Sequence, residues 1–524
     1  MSKKIFLYDT TLRDGTQSEE VNFTVHDKLR IARRLLEFGI DCVEGGWPGS
    51  NPRDVEFFDR LKSSQLPKDK ISAFSSTRKA KTACEKDKNI QALLKAETAV
   101  YTIFGKTSLL HVQHALNITP EENLELIYDT VGYLKKYADK LFFDAEHFFD
   151  GFAEDPEYAL KALQSAYSAG ADALVLCETN GGVMMDKLSH AVREVKKQLP
   201  QAVIGIHCHN DCGLAAANSI CAVENGATHL QGTINGLGER CGNANLCTLI
   251  PNLQLKYGYD CVGEKIKELK SLSMFVNELG NLTPVIRDPY VGRSAFAHKA
   301  GVHVSAVVKN RATYEHIEPE IVGNTRRVLV SDLSGRSNLL YKAATLGLDI
   351  DKAQAGEVLE KLKNMENIGY EYEGAEASFE LVVLKAMGLL PKFFDLVGYR
   401  VIDDKRSQWD NPLSEATVML VVNEVAEHTA ADGNGPVNAL DNAVRKALVK
   451  FYPSLSDMKL VDFKVRILNG NRGTGALTRV LMESADEKCR WSTVGVAHNI
   501  IDASYQALVD AVQYKLYKAS KAAN

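Results

Sequence analysis

Short apolar runs alternate with longer amphipathic stretches over the first half of this 524-residue chain. The runs are rich in β-branched or aromatic residues, as strands are, and the stretches between them show helical spacing of apolar residues, as in 26–38. Eight such runs occur, at residues 5–12, 41–46, 70–76, 99–105, 140–146, 173–179, 202–209 and 229–236. A strand followed by a helix eight times predicts an α/β protein whose residues 1–272 form a (β/α)8 TIM barrel.

A doubly wound parallel sheet is the alternative architecture for the same alternation of strands and helices. It would be favoured by a glycine-rich turn directly after the first strand. Residues 9–15 carry charged side chains at that place, so we expect the barrel.

The alternation fades beyond about residue 270, where the chain is expected to form further domains. We predict helical linker subdomains over 273–405, with a strongly periodic helix near 352–363. The polar stretch 403–412 is typical of a linker. Residues 406–524 are predicted to form an α+β domain. Its regular secondary structure is expected to begin near Ser414, with a strand at 416–425.

This last domain shows signs of an internal repeat, because one helix opens at Gly435 and another at Asn499. When the two helices are aligned, alanines spaced four apart coincide, namely Ala439, Ala443 and Ala447 with Ala503, Ala507 and Ala511. Small residues on one face let a helix pack closely on a sheet, although alanine is also simply a good helix former. We predict a duplicated strand–helix module.

Composition excludes several classes of protein. Apolar residues make up 45% of the chain, enough for a sizeable core, and the net charge of -5 comes with no basic block, so we expect no nucleic-acid partner. No apolar run approaches the ~20 residues of a membrane span, and the N-terminus becomes polar too early for a signal peptide. The ten cysteines form no paired CxxC framework, which is typical of reduced thiols in the cytoplasm.

Two histidines at the end of the seventh predicted strand, His207 and His209, are candidate metal ligands. Residues two apart in a strand point to the same side, so both rings would face the barrel axis while Cys208 points into the helical layer. Asp14, after the first strand, would add a carboxylate. Two imidazoles and a carboxylate suit a divalent transition metal and leave positions open for substrate. The alternative is a pair of core histidines satisfied by hydrogen bonds.

Further polar side chains follow other predicted strands, at the barrel end where active sites are built. Arg13, beside Asp14, can hold an anionic or polarised oxygen. Asn243, in the glycine-rich loop after the eighth strand, can offer its carbonyl oxygen to the same metal. Glu146 is a candidate base, and Thr179 can donate a hydrogen bond to a carboxylate. Each of these residues taken alone also fits a structural role.

Three motifs in this order resemble the family of 2-isopropylmalate synthases, homocitrate synthases and citramalate synthases. They are DTTLRDG at 9–15, HCHND at 207–211 and GERCGNAN at 238–245. HKAGVH at 298–303, followed by TYEHI at 313–317, fits the family's helical subdomain, and the chain from about Ser414 resembles its allosteric domain, which senses a branched-chain amino acid. The resemblance spans nearly the whole chain and implies an enzyme that joins the acetyl group of acetyl-CoA to a 2-oxo acid.

The resemblance also implies roles for individual residues. A divalent metal (Mn²⁺, Mg²⁺ or Zn²⁺) would have four ligands, which are Asp14, His207, His209 and Asn243. Arg13 would polarise the 2-oxo group, while Thr179 would hold the carboxylate of the acceptor. Glu146 and His303 would help to remove a proton from the acetyl methyl group, although His303 also fits a surface histidine. Tyr314 would lie near the acetyl-CoA thioester.

Two further segments bear on the acceptor and the regulation. GGWPGSNP at 45–52 and DAEHFFDG at 144–151 resemble a citramalate synthase branch, which implies pyruvate rather than the 2-oxoisovalerate of 2-isopropylmalate synthases. CETN at 177–180 departs from the family's commoner Pro-Asp-Thr. The resemblance further implies a homodimer that is inhibited through its C-terminal domain, by isoleucine if pyruvate is the acceptor or by leucine otherwise.

Two other functions fit parts of the pattern. A related lyase that splits hydroxyacyl-CoA compounds uses a mobile loop with a Gly-Gly-Cys-Pro core, and this sequence has no such core. The third hypothesis is a non-catalytic amino-acid sensor with an inactive barrel. It has no support, because every candidate ligand and the candidate base are present.

Overall fold

The computed structural model describes residues 3–329, 339–340, 343–344, 350–372, 374–405, 407–408, 411–468 and 475–523. The chain forms two compact units, Met1–Phe296 with Ile317–Thr325, and Ala297–His316 with Arg326–Asn524. The division into three domains at 1–272, 273–405 and 406–524 stays a prediction. Among the helices described, none is both long and apolar enough to cross a membrane.

Eight parallel strands of the first unit close into a barrel, in which neighbours pair in chain order and the first strand also pairs with the eighth. They are β1 (Phe6–Asp9), β2 (Cys42–Gly46), β3 (Ile71–Ser76), β4 (Val100–Lys106), β5 (Lys140–Glu146), β6 (Ala173–Glu178), β7 (Ile204–Cys208) and β8 (His229–Gly232). Every predicted strand is present. Closure removes the free edges of a doubly wound sheet, so the predicted TIM barrel is confirmed.

Two barrel strands, β1 and β8, end three or more residues earlier than the sequence predicted. β1 stops at Asp9 because its carboxylate accepts hydrogen bonds from the Thr11 amide and the Thr11 hydroxyl, both at 2.9 Å. β8 stops at Gly232, and the amide of Ile234 then donates to the Thr11 hydroxyl at 2.9 Å. These bonds tie together the two loops that carry Arg13, Asp14 and Asn243.

Helices follow the strands and pack their apolar faces inward, as in α1, where Ile31, Ala32 and Leu35 are fully buried. The N-terminus of α1 is closed by a capping box between Thr24 and Asp27. The helices of this unit are α1 (Val25–Phe38), α2 (Pro52–Lys62), α3 (Lys88–Lys95), α4 (Pro120–Leu134), α5 (Phe148–Glu154), α6 (Pro156–Ser168), α7 (Met185–Gln198), α8 (Ala215–Glu224), α9 (Leu246–Pro251) and α10 (Leu269–Leu279).

The second unit begins with a short parallel pair, β9 (Ala297–His298) and β10 (Arg327–Val328), which flanks α11 (Gly301–Lys309) in sequence. The predicted periodic helix is present as α12 (Lys352–Ile368), with Asp351 and Gln354 forming a capping box. It is followed by α13 (Glu376–Ala386), which buries Phe379 and Leu384.

Two modules of the same topology complete the second unit, each an antiparallel three-stranded sheet followed by a helix. The first comprises β11 (Asp395–Asp404), β12 (Leu413–Val422), β13 (Val425–Gly433) and α14 (Pro436–Leu448), and the second comprises β14 (Lys459–Ile467), β15 (Thr478–Ala485), β16 (Arg490–Ala497) and α15 (Ile500–Ala523). All six aligned alanines are fully buried. The predicted duplication is confirmed, with three strands before each helix rather than one.

A glycine at the equivalent place in each module explains why the helices carry alanines on the face that packs on the sheet. A Cβ atom on Gly433, at the end of β13, would lie 2.3 Å from the amide nitrogen of Ala439. A Cβ atom on Gly495, near the end of β16, would lie 2.0 Å from the carbonyl oxygen of Ala503. Helix and sheet backbones thus approach closely in both modules, and only small residues fit between them.

The predicted linker at 403–412 and strand at 416–425 are wrong at their boundaries. Asp403 and Asp404 belong to β11, an edge strand whose exposed polar residues resemble a loop in sequence but pair with Ser414 and Leu413. β12 ends at Val422 because Asn423 and Glu424 adopt positive φ angles of 49° and 68°, and this two-residue turn leads into β13. Three residues of the predicted linker, 406, 409 and 410, lie outside the described residues.

Candidate active site

The carboxylate of Asp14 and the imidazoles of His207 and His209 meet at the C-terminal end of the barrel. Their ligand atoms lie within 4.8 Å of one another, and all three residues are buried. His207 Nε2 is 3.2 Å from Asp14 Oδ2 and 3.4 Å from His209 Nε2. The structure thus brings together the three side chains that the sequence singled out, at a spacing that one divalent cation can bridge.

A partner on the next strand determines which nitrogen of His207 faces this cluster. His207 Nδ1 is 2.9 Å from Gln231 Oε1, and Gln231 Nε2 donates to Asp144 Oδ1 at 3.0 Å. Since the Gln231 oxygen can only accept, the proton of neutral His207 resides on Nδ1. In this neutral form the lone pair of Nε2 points toward the Asp14 carboxylate, and a cation between the two atoms would make that arrangement favourable. Metal-binding histidines typically have such a partner on their second nitrogen.

Asn243 lies next to the cluster, because its backbone forms an antiparallel bridge with that of His209. Its Nδ2 donates to the carbonyl of Leu237 at 3.2 Å, whereas its Oδ1 is buried and has no hydrogen-bond partner among the residues described. A buried amide oxygen without a partner is costly. A cation beside it would satisfy that oxygen, so the residues present fit a divalent metal.

Arg13 is anchored by Glu44, a fully buried carboxylate on β2. Arg13 Nε donates to Glu44 Oε1 at 2.5 Å, and Arg13 Nη1 lies 3.6 Å from Asp14 Oδ1. The guanidinium carbon also sits 4.0 Å from the centre of the Phe74 ring, a cation–π contact. These contacts fix the guanidinium and leave its terminal N–H groups for an oxygen in the adjacent cavity.

The charges of this cluster suit metal binding near neutral pH. Burial by itself would raise the pKa of Asp14, but the Arg13 guanidinium and His207 outweigh it and hold that pKa well below its usual range. Burial and the neighbouring His207 lower the pKa of His209 to about 4. Burial by itself would lower the pKa of His207, but the hydrogen bond to Asp14 and the charges of Asp14 and Asp144 together outweigh burial and raise that pKa. Asp14 is therefore ionised and His209 neutral, the forms that bind metals.

A cavity of about 200 Å³ opens beside these groups, with Glu146 and Thr179 in its polar lining. Its apolar side consists of three aromatic rings, Trp47, Phe74 and Phe104, whose centroids lie 5.3–5.7 Å apart. The cavity therefore combines a charged end with an aromatic wall, and its volume suits a ligand of only a few heavy atoms.

Glu146 and Thr179 each have a partner that orients them. Lys106 Nζ lies 2.5 Å from Glu146 Oε2, an ion pair between the ends of β4 and β5. Thr179 Oγ1 accepts a hydrogen bond from the amide of His147 at 2.9 Å, and its carbonyl accepts one from Arg240 Nη2 at 2.7 Å. With its oxygen already accepting, the Thr179 hydroxyl can donate its proton to a ligand oxygen.

His303 and Tyr314 belong to the second unit, and their rings stack with centroids 4.1 Å apart. The residue after Tyr314, Glu315, is buried and accepts hydrogen bonds from His298 at 3.0 Å and Arg326 at 2.6 Å. The structure thus brings the two predicted residues together on a braced segment. Their roles in proton removal and thioester binding stay predictions.

Three residues that organise the site escaped the sequence analysis: Glu44, Asp144 and Gln231. Each lies inside a strand whose neighbours are mostly apolar, so the surrounding pattern indicates core. A charged or amide side chain in such a strand was the available signal, because a buried polar group needs a partner. The sequence did not show that those partners were Arg13 and His207.

Comparisons with known proteins agree with this architecture. Residues 4–276 match the family model described as HMGL-like, residues 290–369 match the homocitrate synthase post-HMGL domain-like model, and residues 373–516 match the LeuA allosteric (dimerisation) domain. The first and third matches agree with the predicted barrel and C-terminal domain.

Curated relatives match along the full chain. An (R)-citramalate synthase from Geobacter sulfurreducens is 57% identical over 518 residues, covering 98% of each chain. One from Aquifex aeolicus is 52% identical and covers 99% of each. A 2-isopropylmalate synthase from Sulfolobus acidocaldarius is 35% identical over 72% of this chain and 94% of its own. The chain therefore belongs to the HMGL-like family, in the group that includes the citramalate synthases and the 2-isopropylmalate synthases.

Proposed function

We propose that the protein is an (R)-citramalate synthase, which condenses acetyl-CoA with pyruvate and hydrolyses the resulting thioester to citramalate and CoA, for isoleucine biosynthesis. The observation that carries this proposal is the convergence of Asp14, His207 and His209 beside Arg13, in a small cavity with an aromatic wall. The names of the two relatives at 57% and 52% identity support it.

Asp14, His207, His209 and Asn243 would hold the divalent metal. Imidazole ligands favour Zn²⁺, while the carboxylate and amide oxygens also suit Mn²⁺ and Mg²⁺. When bound, such a cation supplies positive charge against the oxygens of a 2-oxo acid. Removing the metal with a chelator and restoring each ion in turn would identify the ion that supports the highest kcat.

The other proposed site residues would bind the substrates and transfer the proton. The terminal N–H groups of Arg13 would donate to the keto oxygen and stabilise the alkoxide that forms when the carbonyl is attacked. The Thr179 hydroxyl would hold the acceptor's carboxylate. Glu146, with His303, would accept the weakly acidic proton of the acetyl methyl group. Tyr314 would lie near the thioester.

Pyruvate is the proposed acceptor because the relatives at 57% and 52% identity are named (R)-citramalate synthase, and we place its methyl group against the aromatic wall of the cavity. A methyl group fits against the rings of Trp47, Phe74 and Phe104, whereas 2-oxoisovalerate adds two carbons. Forcing extra methyl groups into a packed site costs about 1–3 kcal/mol, or roughly 10- to 100-fold in kcat/KM. The alternative, a 2-isopropylmalate synthase, would accept 2-oxoisovalerate in the same cavity.

An acceptor screen tests this proposal. Release of free CoA would be followed with acetyl-CoA and pyruvate, 2-oxobutyrate, 2-oxoisovalerate or 2-oxoglutarate. We expect the highest kcat/KM with pyruvate. A higher value with any other acceptor would refute the assignment, and CoA-ester cleavage without an acceptor would favour the lyase.

The C-terminal modules carry a cavity of about 260 Å³ that suits an amino acid. Its lining is mainly apolar and includes Leu460, Phe463 and Met482, while Asp441 and Arg445, which also line it, pair with each other at 2.7 Å. An aliphatic side chain matches this apolar lining, so we propose isoleucine as the effector. Asp441→Asn is expected to weaken inhibition by isoleucine about tenfold while leaving uninhibited kcat unchanged, whereas stronger inhibition by leucine would reassign the effector.

We also propose that the chain acts as a homodimer in the cytoplasm. The match of residues 373–516 to a dimerisation domain supports the dimer, as do exposed apolar side chains such as Val397, Val465 and Ile467 on the two sheets. The ten cysteines are all free thiols, in keeping with a reducing compartment. Sedimentation analysis of the full chain would give the oligomeric state.

A further inference from the structure

We propose that Arg240 is a positioning residue for the acceptor, because its guanidinium holds Thr179 in place beside the metal site. This inference rests on the proposed function, in which the Thr179 hydroxyl binds the carboxylate of a 2-oxo acid. Arg240 and Thr179 line the same cavity, and Arg240 lies in the glycine-rich loop after β8. Its substitution should therefore weaken binding of the acceptor without removing a group that reacts.

The guanidinium of Arg240 connects the loops that follow β6, β7 and β8. Its Nε and Nη2 atoms donate to the two carboxylate oxygens of Asp211, after β7, at 2.8 and 2.9 Å. Nη2 also donates to the backbone carbonyl of Thr179, directly after β6, at 2.7 Å. A bidentate pair with a carboxylate fixes both the position and the orientation of a guanidinium. The carbonyl of Thr179 is therefore bound by a donor that is itself anchored.

The backbone conformation of Arg240 indicates that its side chain is needed at this place. Its φ angle is 57°, in the left-handed region that glycine adopts most easily. Gly238 and Gly242 lie two residues away on either side, and Gly242 also has a positive φ, of 85°. A side chain is costly in this conformation, and such strain is concentrated at functional sites. The contacts of the guanidinium must offset that cost.

The loop after β6 packs directly against Asp211. A Cβ atom on Gly181, whose φ is 68°, would lie 2.2 Å from Asp211 Oδ2, so glycine permits this approach. The carbonyl of Gly181 also accepts a hydrogen bond from the amide of Cys212 at 2.9 Å. The Arg240–Asp211 pair is thus part of the packing of the loop that carries Thr179.

Thr179 can bind the acceptor only if both its hydroxyl and its backbone are in place. Its Oγ1 accepts a hydrogen bond from the amide of His147 at 2.9 Å, which leaves the hydroxyl proton for a ligand. The bond from Arg240 fixes the backbone from which that hydroxyl projects. A displacement of about 1 Å is enough to weaken a substrate contact strongly. Loss of the guanidinium should therefore act on the acceptor through Thr179.

The metal ligands on the loops after β7 and β8 are held in another way. The amide of Asn210 donates to the carbonyl of Gly242 at 2.9 Å, which joins the two loops through their main chains. His209 and Asn243 also form a β-bridge with each other. These bonds do not involve the guanidinium, so its loss should move the loop after β6 without moving the ligands.

Arg240→Gln tests this role, because the shorter glutamine side chain cannot bind Asp211 and Thr179 together. For the best acceptor found in the screen, we expect KM to rise about tenfold, as for a lost hydrogen bond. The kcat should change less than about threefold, since binding rather than chemistry is weakened, and the KM for acetyl-CoA and the Kd for the metal should stay within about twofold. A loss of metal affinity equal to the rise in KM would overturn the inference.

Arg240→Gly keeps the variant test independent of backbone strain, because glycine adopts this φ angle freely. It should show the same rise in the acceptor's KM as Arg240→Gln. A rise in only one of the two variants would assign the effect to the backbone and refute the role of the guanidinium.

A double-mutant cycle separates positioning through Thr179 from direct contact of Arg240 with the acceptor. Thr179→Val removes the hydroxyl and should by itself raise the acceptor's KM about tenfold. Adding Arg240→Gln to Thr179→Val should change KM less than about twofold further, because the group that is positioned is gone. If the two effects multiplied, Arg240 would not act through Thr179.

Arg34→Gln is the matched control for the loss of an arginine that joins two elements. Arg34 connects α1 to α10 and the residue before it, through Glu268 at 2.8 Å and Ser271 at 2.9 Å. These contacts lie in the outer helical layer, so this variant should keep the wild-type KM for both substrates.

Hydrogen–deuterium exchange follows the loop without turnover. The amides of residues 179–183 should exchange about tenfold faster in Arg240→Gln than in the wild type, while those of residues 207–209 keep their rates. If these rates differed as expected but the wild type turned over no 2-oxo acid, the proposed function would fail and the positioning contact would stand. If it turned one over while Arg240→Gln kept both its KM and its exchange rates, the Arg240 inference alone would fail.

Discussion

Two neighbouring strands of the barrel carry buried histidines at opposite ends, and the two environments differ completely. His229 opens β8 and pairs in register with Gly205, two residues before His207 on β7. It stacks on Phe6 at a centroid distance of 5.0 Å, and its Nε2 has no partner among the residues described. His207, near the other end, contacts a carboxylate, an amide and a second imidazole.

The comparison teaches that burial makes a histidine neutral but does not make it a ligand. Burial lowers the pKa of His229 to about 3, with Lys140 adding to the effect, so this ring is an aromatic core side chain at any physiological pH. At the C-terminal end, the loops after β1 and β8 bring in oxygens from Asp14 and Asn243. The end of the strand, rather than the residue type, decides the chemistry.

The largest expected effect comes from removing the carboxylate at the functional end. Asp14→Ala should abolish stoichiometric metal binding and lower kcat/KM roughly a thousandfold or more, because two imidazoles alone hold the cation weakly. Metal analysis by mass spectrometry and steady-state kinetics would measure both. Asp172→Ala is the matched control from the opposite end, where Asp172 accepts a bond from the Leu141 amide, and it should keep both properties. Retention of metal and activity in Asp14→Ala would disprove the site.

A smaller effect should follow from removing the hydrogen bond between His207 and Gln231. Gln231→Leu removes the acceptor of the His207 Nδ1 proton, so the ring can rotate or change tautomer, and metal affinity should fall about 10- to 100-fold. Competition with a chromophoric chelator would give the Kd. Affinity within twofold of wild type would mean that Gln231 does not orient the ring.

The pH dependence of the free energy of unfolding tests whether His229 is neutral in the folded protein, with an expected effect of a few kcal/mol. The folded pKa of His229 is about 3, below the ordinary 6.5, so its contribution to stability is present above pH 6.5 and is lost as pH falls toward 3. Between pH 6.5 and 4.5 this loss amounts to about 2–3 kcal/mol. His229→Phe should lack it, so denaturant unfolding at both pH values should show a smaller decline than wild type. Equal declines would contradict the neutral assignment.

The smallest expected effect is that of His229→Phe on catalysis. At neutral pH, His229→Phe should alter kcat, KM and metal content by less than about twofold, because the ring makes only aromatic contacts. His207→Phe, a matched change one strand away, should lose metal and activity. Similar activity losses in both variants would contradict our conclusion that only the histidine at the C-terminal end of the barrel takes part in catalysis.

Periodicity predicted the barrel because each strand and helix carries its own local pattern, and every predicted strand is present. The His207–His209 spacing was also readable, since alternation within a strand requires no long-range information. The partners of these residues were not readable. Glu44, Asp144 and Gln231 acquire their roles only through contacts between strands that are 24 to 87 residues apart in sequence, such as Gln231 with His207 and with Asp144.

The strand ends were also predicted incompletely from the sequence. β1 was predicted to reach residue 12, but the Asp9 carboxylate turns the chain at Thr11. The edge strand β11 was partly taken for a linker because its last two residues, Asp403 and Asp404, are charged. In the first case a side-chain hydrogen bond ended the strand, and in the second the pairing with β12 extended it, so neither boundary followed the local pattern.

The sequence by itself determined the alternating layers, the repeat of the C-terminal modules and the residue types at the metal site, because these depend on spacing within single elements. Only the tertiary structure decided which nitrogen of His207 faces Asp14, which carboxylate anchors Arg13, and which backbone carbonyl accepts a hydrogen bond from Arg240. Those facts depend on barrel closure, which sets side chains from separate strands at distances that no local pattern encodes.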